Sequence, residues 1–199
     1  MSRLPRVAGI VLAAGSSSRM GRPKQLLPFR GSTVIECIVD SALKTSLSKV
    51  VVVLGHRADE LRPLLEKRDV TVVINPEYKR GQSSSIQVGL DAVRQDVDAV
   101  LFLLGDQPLI TPETIDCLIS AYASSSGPIV MPLFNGKRGN PVLFDRQTFE
   151  RIDALKGDTG ARVLFQEYAE QIVEVPFHDP SVRFDIDTEQ DYLLLKKME

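Results

Sequence analysis

Cysteine and histidine are scarce in this chain: Cys37 and Cys117 are its two thiols, His56 and His178 its two imidazoles. A Cys/His zinc site is therefore poorly supported. Both cysteines fall inside apolar helical patterns, which predicts buried, reduced thiols rather than a disulfide. No apolar run approaches the roughly 20 residues that a membrane span requires. No leader pattern is visible, since Met1 to Arg6 run directly into the first apolar segment, and a cytoplasmic protein is expected. Neither sign of charge dominates: 24 Lys and Arg stand against 26 Asp and Glu, a net charge of −2. Without a basic excess, bulk nucleic-acid binding is not expected, whereas a local basic site for a phosphorylated ligand remains open. Internal repeats and low-complexity linkers are also missing. The 199 residues suffice for one domain with a sizeable core, so residues 1–199 read as a single domain.

What is present is an alternation of apolar runs and helical patterns. Val7 to Ala14, Lys49 to Leu54, Val70 to Ile74 and Ala99 to Leu104 are runs of the kind a sheet buries on both faces. Thr33-x-x-Glu36 is a capping box that opens a helix through Val34, Ile35, Ile38 and Ala42. Asp59 to Lys67 predicts a short helix with Pro63 in its first turn. Ile86, Gly89, Leu90 and Val93 mark another helix. Thr111-Pro112 opens the one carrying Ile115, Leu118, Ile119 and Tyr122. Ile129 to Phe134 predicts a strand, Asn135-Gly136 a hairpin turn, and Val142 to Phe144 the returning strand. Phe149, Ile152 and Leu155 predict a short helix, and Asp158 the N-cap of the next, with Leu164, Phe165 and Tyr168 on one face. Ile172 to Pro176 and Phe184 to Thr188 predict strands, and Thr188 caps a last helix, Glu189 to Met198.

This order predicts an α/β fold: a single Rossmann-like three-layer domain with a mostly parallel sheet plus an antiparallel hairpin, helices covering both faces. In open sheets of this kind, ligands bind outside the strand carboxyl ends. The loop after the first strand, the His56-Arg57 pair, the segment around Gly81 and Asp106 all fall on that edge. His56 and Arg57 read as a solvated loop pair, with ligand contact as the alternative.

The loop after the first strand begins at Gly15 and carries Arg19, Arg22 and Lys24 among Ser and Gly. Small residues let a phosphate chain approach the backbone, and N–H groups with cations neutralise it. The spacing is not that of a Walker A loop, because Lys24 is followed by Gln25, nor is it a dinucleotide GxGxxG. An ordinary strand–loop with solvated charges is the plainer alternative. Gly81-Gln82-Ser-Ser84-Ser then precedes a helix, whose N-terminus offers unpaired N–H groups and a positive dipole end, although serines there also serve simply as caps. Asp185 and Asp187 flank Ile186, so on an extended segment both point to one side. No Ser-His-Asp or Cys-His constellation is recognisable.

Leu12-Ala-Ala-Gly15-x-Ser-x-Arg19-Met-Gly21-x-x-Lys24-x-Leu-Leu-Pro28 resembles the signature of the MobA-like nucleotidyltransferases, and within them most closely the molybdenum cofactor cytidylyltransferase branch. Asn75-Pro-x-x-x-x-Gly81-x-x-x-Ser85, Gly105-Asp-x-Pro108 and Gly157-Asp-x-Gly-Ala-Arg162 agree with it, so the similarity covers most of the chain. The resemblance implies a Mg²⁺-dependent transfer of CMP from CTP to molybdopterin, giving molybdopterin cytosine dinucleotide and pyrophosphate. It implies that Leu12, Ala13, Ala14, Gly15, Ser16, Arg19, Lys24, Gly81, Gln82, Ser84 and Gly105 bind the nucleotide. Arg19, Lys24 and Asp106 would be catalytic, with Asp106 and Asp187 holding the metal. Arg138, Gly139, Asn140, Asp158 and Arg162 would face the phosphorylated acceptor, and a molybdoenzyme would receive the product. The structural alternatives are that Asp106 caps the turn before Thr111 and that Asp187 caps the last helix. The guanylyltransferase branch often has Leu-Ala-Gly-Gly and Gly-Asp-x-Pro-Phe where this chain has Leu12-Ala-Ala-Gly15 and Gly105-Asp-Gln-Pro-Leu109, which favours CTP. Guanylyl, adenylyl or sugar-phosphate nucleotidyl transfer, and a non-catalytic nucleotide-binding accessory protein, are the alternatives.

Overall fold

In the computed structural model of the chain, residues 4–16 and 20–199 are described. The apolar runs form the centre of one sheet: β1 (Val7–Ala13), β4 (Lys49–Leu54), β5 (Thr71–Ile74) and β6 (Ala99–Leu104). These four are mutually parallel, in the order β5, β4, β1, β6. The sheet continues through β9 (Val142–Asp145), β7 (Ile129–Phe134) and β10 (Ile172–Phe177), with β8 (Lys137–Arg138) beside β7, giving eight strands. β9 is antiparallel to both β6 and β7, and the short β8 is antiparallel to β7; the other six strands are parallel. A separate two-stranded ribbon joins β2 (Pro28–Phe29) to β3 (Ser32–Thr33).

Helices cover both faces because the strands are apolar on both. Ile35, Ile38 and Val39 of α1 (Val34–Leu43), Leu61 and Leu65 of α2 (Ala58–Leu65), and Ile115 and Leu118 of α4 (Pro112–Ala123) pack on the face formed by Val7, Val11, Val50 and Val52. On the opposite face, Ile86 and Leu90 of α3 (Gln82–Asp91), Phe149 and Ile152 of α5 (Phe149–Asp153), and Leu164 of α6 (Leu164–Glu167) meet Ala8, Ile10, Val51 and Val53. Each fully buried Val, Leu or Ile here contributes about 1.5–3 kcal/mol of hydrophobic stabilisation. A small third cluster seats α7 (Glu189–Lys196) through Leu195 against Leu27, Phe29, Val34 and Ile186. No helix among the described residues is long and apolar enough to cross a membrane.

The three helix starts read at Thr33, Thr111 and Thr188 form as the chemistry requires. Glu36 accepts from the Thr33 backbone N–H at 2.9 Å, and Thr188 and Asp191 form a reciprocal box at α7. Four expectations are corrected. Pro63 lies inside α2, five residues after Ala58, not in its first turn. Cys117 is exposed on α4 and Cys37 only partly buried, because both lie at the margins of their helices' apolar faces. Phe184 to Thr188 is irregular, since a short 3₁₀ turn at Pro180–Arg183 precedes it and no strand lies beside it. Asp158 does not cap the α6 segment; its carboxylate accepts from the Gln82 N–H at the start of α3.

Candidate active site

The sheet order reverses at β1: the chain moves outward to β4 and β5, then returns to place β6 on the other side of β1. A crevice opens where the carboxyl ends of such diverging strands separate. Here the ends are held close by the Gly105 N–H, which donates to the Leu12 carbonyl at 2.9 Å. A Cβ on Gly105 would stand 2.9 Å from that of Ala13, so the approach of the two strand ends requires glycine. A cleft of about 890 Å³ lies over this junction. Leu12, Ala14, Gly15 and Ser16 line it from the β1 side, and Leu104 and Asp106 from β6.

At one end of the cleft, three charges converge. Lys24, on a 3₁₀ turn beyond the Gly15 loop, places its ammonium between the carboxylates of Asp106 and Asp187, 3.1 Å from the latter. The three side chains are 13%, 17% and 27% exposed, so the cluster is sheltered but open to a ligand. Burial alone would push Lys24 down; the two carboxylates outweigh it and hold the ammonium above its ordinary value. Asp185 is pushed up from its ordinary range, first by burial and then by the negative charge of Asp106 and Asp187. A third carboxylate anion is thus disfavoured beside the first two.

Neither aspartate serves as a helix cap. Thr111 caps α4 with its own hydroxyl, and Thr188 caps α7. Asp106 contributes its backbone carbonyl instead, accepting from Ile186 N–H at 3.2 Å, and this bond carries the 185–187 segment to the end of β6. The donor set suits a hard divalent cation: two carboxylates, all-oxygen chemistry, with the Lys24 ammonium lying between them. Among the described residues no group of three or more His, Cys, Asp or Glu side chains is placed to hold a metal ion.

The other end of the cleft is built by the start of α3. Tyr78, Gly81, Gln82, Ser85 and Asp158 line it. Gly81 has φ +106°, and a Cβ there would lie 2.3 Å from the Gly157 carbonyl carbon, so the 157–160 segment straps directly onto the helix N-terminus. Ser83 donates to the Gly157 carbonyl through both its N–H, at 3.3 Å, and its hydroxyl, at 2.7 Å. Gly81→Ala should therefore lose about 2–3 kcal/mol of stability from backbone strain and the forced displacement of the strap. Thermal unfolding checks this, and a midpoint within one degree of wild type would contradict it.

The structure brings Leu12, Ala14, Gly15, Ser16, Lys24, Gly81, Gln82, Asp106, Asp158 and Asp187 to one cleft. Ala13 and Gly105 are not in the cleft lining; they pack against each other at the ends of β1 and β6. Arg19 lies outside the described residues. Ser84 turns away: it accepts from Asn75 and donates to the Gly81 carbonyl at 2.8 Å, and Ser85 lines the cleft in its place. Arg22 pairs with Glu189 at 2.6 Å on α7. Arg138 pairs with Glu174, and the Asn140 N–H donates to the Val182 carbonyl; with Gly139 and Arg162 they stay outside the cleft lining.

Sequence reasoning missed Met20, Gln25 and Tyr78 as lining residues and placed His56 in solvent. His56 instead faces the cleft, its Nδ1 3.5 Å from the Tyr78 hydroxyl, while Arg57 turns out to Glu60. The available signal was position, since both rings follow carboxyl ends of β4 and β5.

Residues 9–172 match the MobA-like NTP transferase domain. The chain belongs to the MobA-like NTP transferase family. Among its relatives, nicotine blue oxidoreductase of Paenarthrobacter nicotinovorans is 33% identical, over 96% of this chain and 98% of that one. The molybdenum cofactor cytidylyltransferase of Escherichia coli is 28% identical over 94% of each. The fold of this MobA-like chain superposes on the crystal structure of Rv0371c from Mycobacterium tuberculosis in complex with manganese, with a TM-score of 0.84, 28% identity, and coverage of 98% and 100%. The chain is accordingly a nucleotidyltransferase of the MobA-like family, and the cleft is its candidate active site.

Proposed function

We propose that this nucleotidyltransferase moves CMP from CTP to a molybdopterin-type phosphorylated acceptor, forming the cytosine dinucleotide and pyrophosphate. The observation that carries the reading is the Lys24 ammonium held between Asp106 and Asp187 at the switch point of the sheet. Transfer of this kind requires positioning and charge neutralisation more than a protein nucleophile. An acceptor phosphate oxygen forms a bond to the α-phosphorus as the bond from that phosphorus to the pyrophosphate oxygen breaks. Lys24, with Arg19, neutralises the charge that gathers on the departing pyrophosphate. Asp106 and Asp187 would hold Mg²⁺, which supplies charge neutralisation and orientation at the α-phosphate when bound. Gly15 and Ser16 let the phosphate chain approach the backbone, and the start of α3 receives the nucleoside.

The choice of CTP rests on Leu12-Ala-Ala-Gly15 and on the resemblance to the cytidylyltransferase branch. A pyrimidine needs less room than a purine, and pocket width of this kind discriminates by roughly 1–3 kcal/mol. CTP should therefore bind more tightly than GTP in the presence of Mg²⁺, and equal or tighter GTP binding would remove the cytidylyl assignment. Pyrophosphate release from each of the four NTPs, with and without molybdopterin, tests the whole reading. Another acceptor is favoured by one observation, that Arg138, Gly139, Asn140 and Arg162 lie outside the cleft lining, and release with a different phosphorylated acceptor in place of molybdopterin would support it.

A further inference from the structure

Asp158 occupies a position that its sequence context does not announce. Its segment is fixed onto α3 by the two Ser83 bonds to the Gly157 carbonyl and by the contact of Gly81 with Gly157. On the other side of Asp158, a Cβ on Gly160 would lie 2.6 Å from Gln82 Oε1, so the strap is seated there as well. Asp158 Oδ1 accepts from the Gln82 N–H at 3.2 Å. Its other oxygen has no hydrogen-bond partner among the described residues, and the side chain is exposed where it lines the cleft beside the start of α3.

A carboxylate accepts hydrogen bonds and donates none, so a ligand group that displaces water from the free oxygen has to be a donor. The triphosphate is excluded by its like charge. Cytosine offers an exocyclic amino group where uracil offers a carbonyl, which a carboxylate repels. We propose that Asp158 selects the amino-bearing pyrimidine, CTP over UTP, by accepting from the exocyclic amino group through Oδ2. The inference rests on the cytidylyl reading above. It assigns to base choice a residue that the family resemblance places toward the acceptor. A ribose hydroxyl is the competing donor, but it is common to CTP and UTP and would leave their ratio untouched.

The test is the dissociation constant of CTP and of UTP, by calorimetry with Mg²⁺, for the full chain and for Asp158→Asn and Asp158→Ser. Asn and Ser cap a helix about as well as Asp, so the strap and the melting temperature should be retained in both. Wild type should prefer CTP by about 10- to 100-fold, since a mispaired polar group is strongly rejected. Asp158→Asn can turn its carbonyl to Gln82 and its amino group to the cleft, which should abolish or invert the preference. Asp158→Ser should flatten it without inversion. A wild-type ratio near one, or a ratio that both variants keep within twofold, overturns the proposal, as does a loss confined to acceptor KM. Failure of the cytidylyl reading is recognisable separately, as a CTP preference in binding with no pyrophosphate released from CTP and molybdopterin.

Discussion

Replacing Lys24 with alanine is expected to lower kcat/KM by about 30- to 1,000-fold, the equivalent of about 2–4 kcal/mol of lost transition-state stabilisation. The ammonium lies between Asp106 and Asp187 and lines the cleft, so on the proposed reading its charge is close to where negative charge accumulates. The substitution should leave the protein folded, because Lys24 sits on a short 3₁₀ turn at the rim and not among the side chains that join helices to the sheet. It does leave two carboxylates facing each other without their shared cation. Mg²⁺ should consequently raise the melting temperature of Lys24→Ala more than that of wild type, by mass action on a site with more to gain. Activity per folded molecule equal to wild type would reduce Lys24 to a surface cation.

Asp106→Asn is expected to cost at least about 100-fold in turnover while the melting temperature stays within about two degrees. The amide is nearly isosteric and preserves what the backbone does here, including the bond from the Ile186 N–H to the Asp106 carbonyl. It removes a charged oxygen ligand, and neutral amides are poor partners for Mg²⁺. Lys24 keeps its contact with Asp187, so the local fold has a remaining anchor. Steady-state rates across a Mg²⁺ titration, with thermal unfolding in parallel, separate the two roles. Normal turnover with normal Mg²⁺ dependence refutes the metal role of Asp106. The same substitution at Asp187 gives an independent test, since Thr188 and Asp191 do the capping at α7.

Strands β4, β6 and β7 were legible from the sequence to the residue, because a continuous apolar run bounded by Gly or Pro admits few other readings. The helix starts at Thr33, Thr111 and Thr188 were equally legible, since capping is local chemistry within four residues. Phe184 to Asp187 misled for a physical reason. Its alternation of apolar and acidic residues is that of a half-buried strand, yet Ile186 is buried against Leu27, Phe29 and Leu195 while the backbone N–H groups of Phe184, Ile186 and Asp187 donate to Ser181, Asp106 and Asp191 and to no neighbouring strand. Alternation reports one buried face; it does not report whether a neighbouring strand exists. Asp158 misled similarly. Its capping chemistry was recognised, but the helix it caps starts 76 residues earlier in the chain, and no local pattern encodes that partner. Ser84 and Ser85 differ by one position on α3, and about 100° of helical rotation decides which of them meets the cleft.

The reversed strand β9 has a consequence for how such a protein can diversify. Because β9 runs against β6, from Phe102 beside Val142 to Ala99 beside Asp145, the chain re-enters the sheet at the same rim where β6 ends. Between Phe134 and Val142 the chain makes a hairpin, β8 pairing back on β7, and returns to that rim. The turn at its tip, Asn135-Gly136, can change in length and composition without shifting the register of β1, β4 or β6, whose ends line the cleft. The fold therefore separates two kinds of heritable variation: a chassis in which a one-residue shift would be ruinous, and an interchangeable brim where insertions are absorbed. An engineer would graft at the 135–136 turn and leave the strand ends alone, since Gly139 packs on the Val182 carbonyl and the Asn140 N–H donates to it.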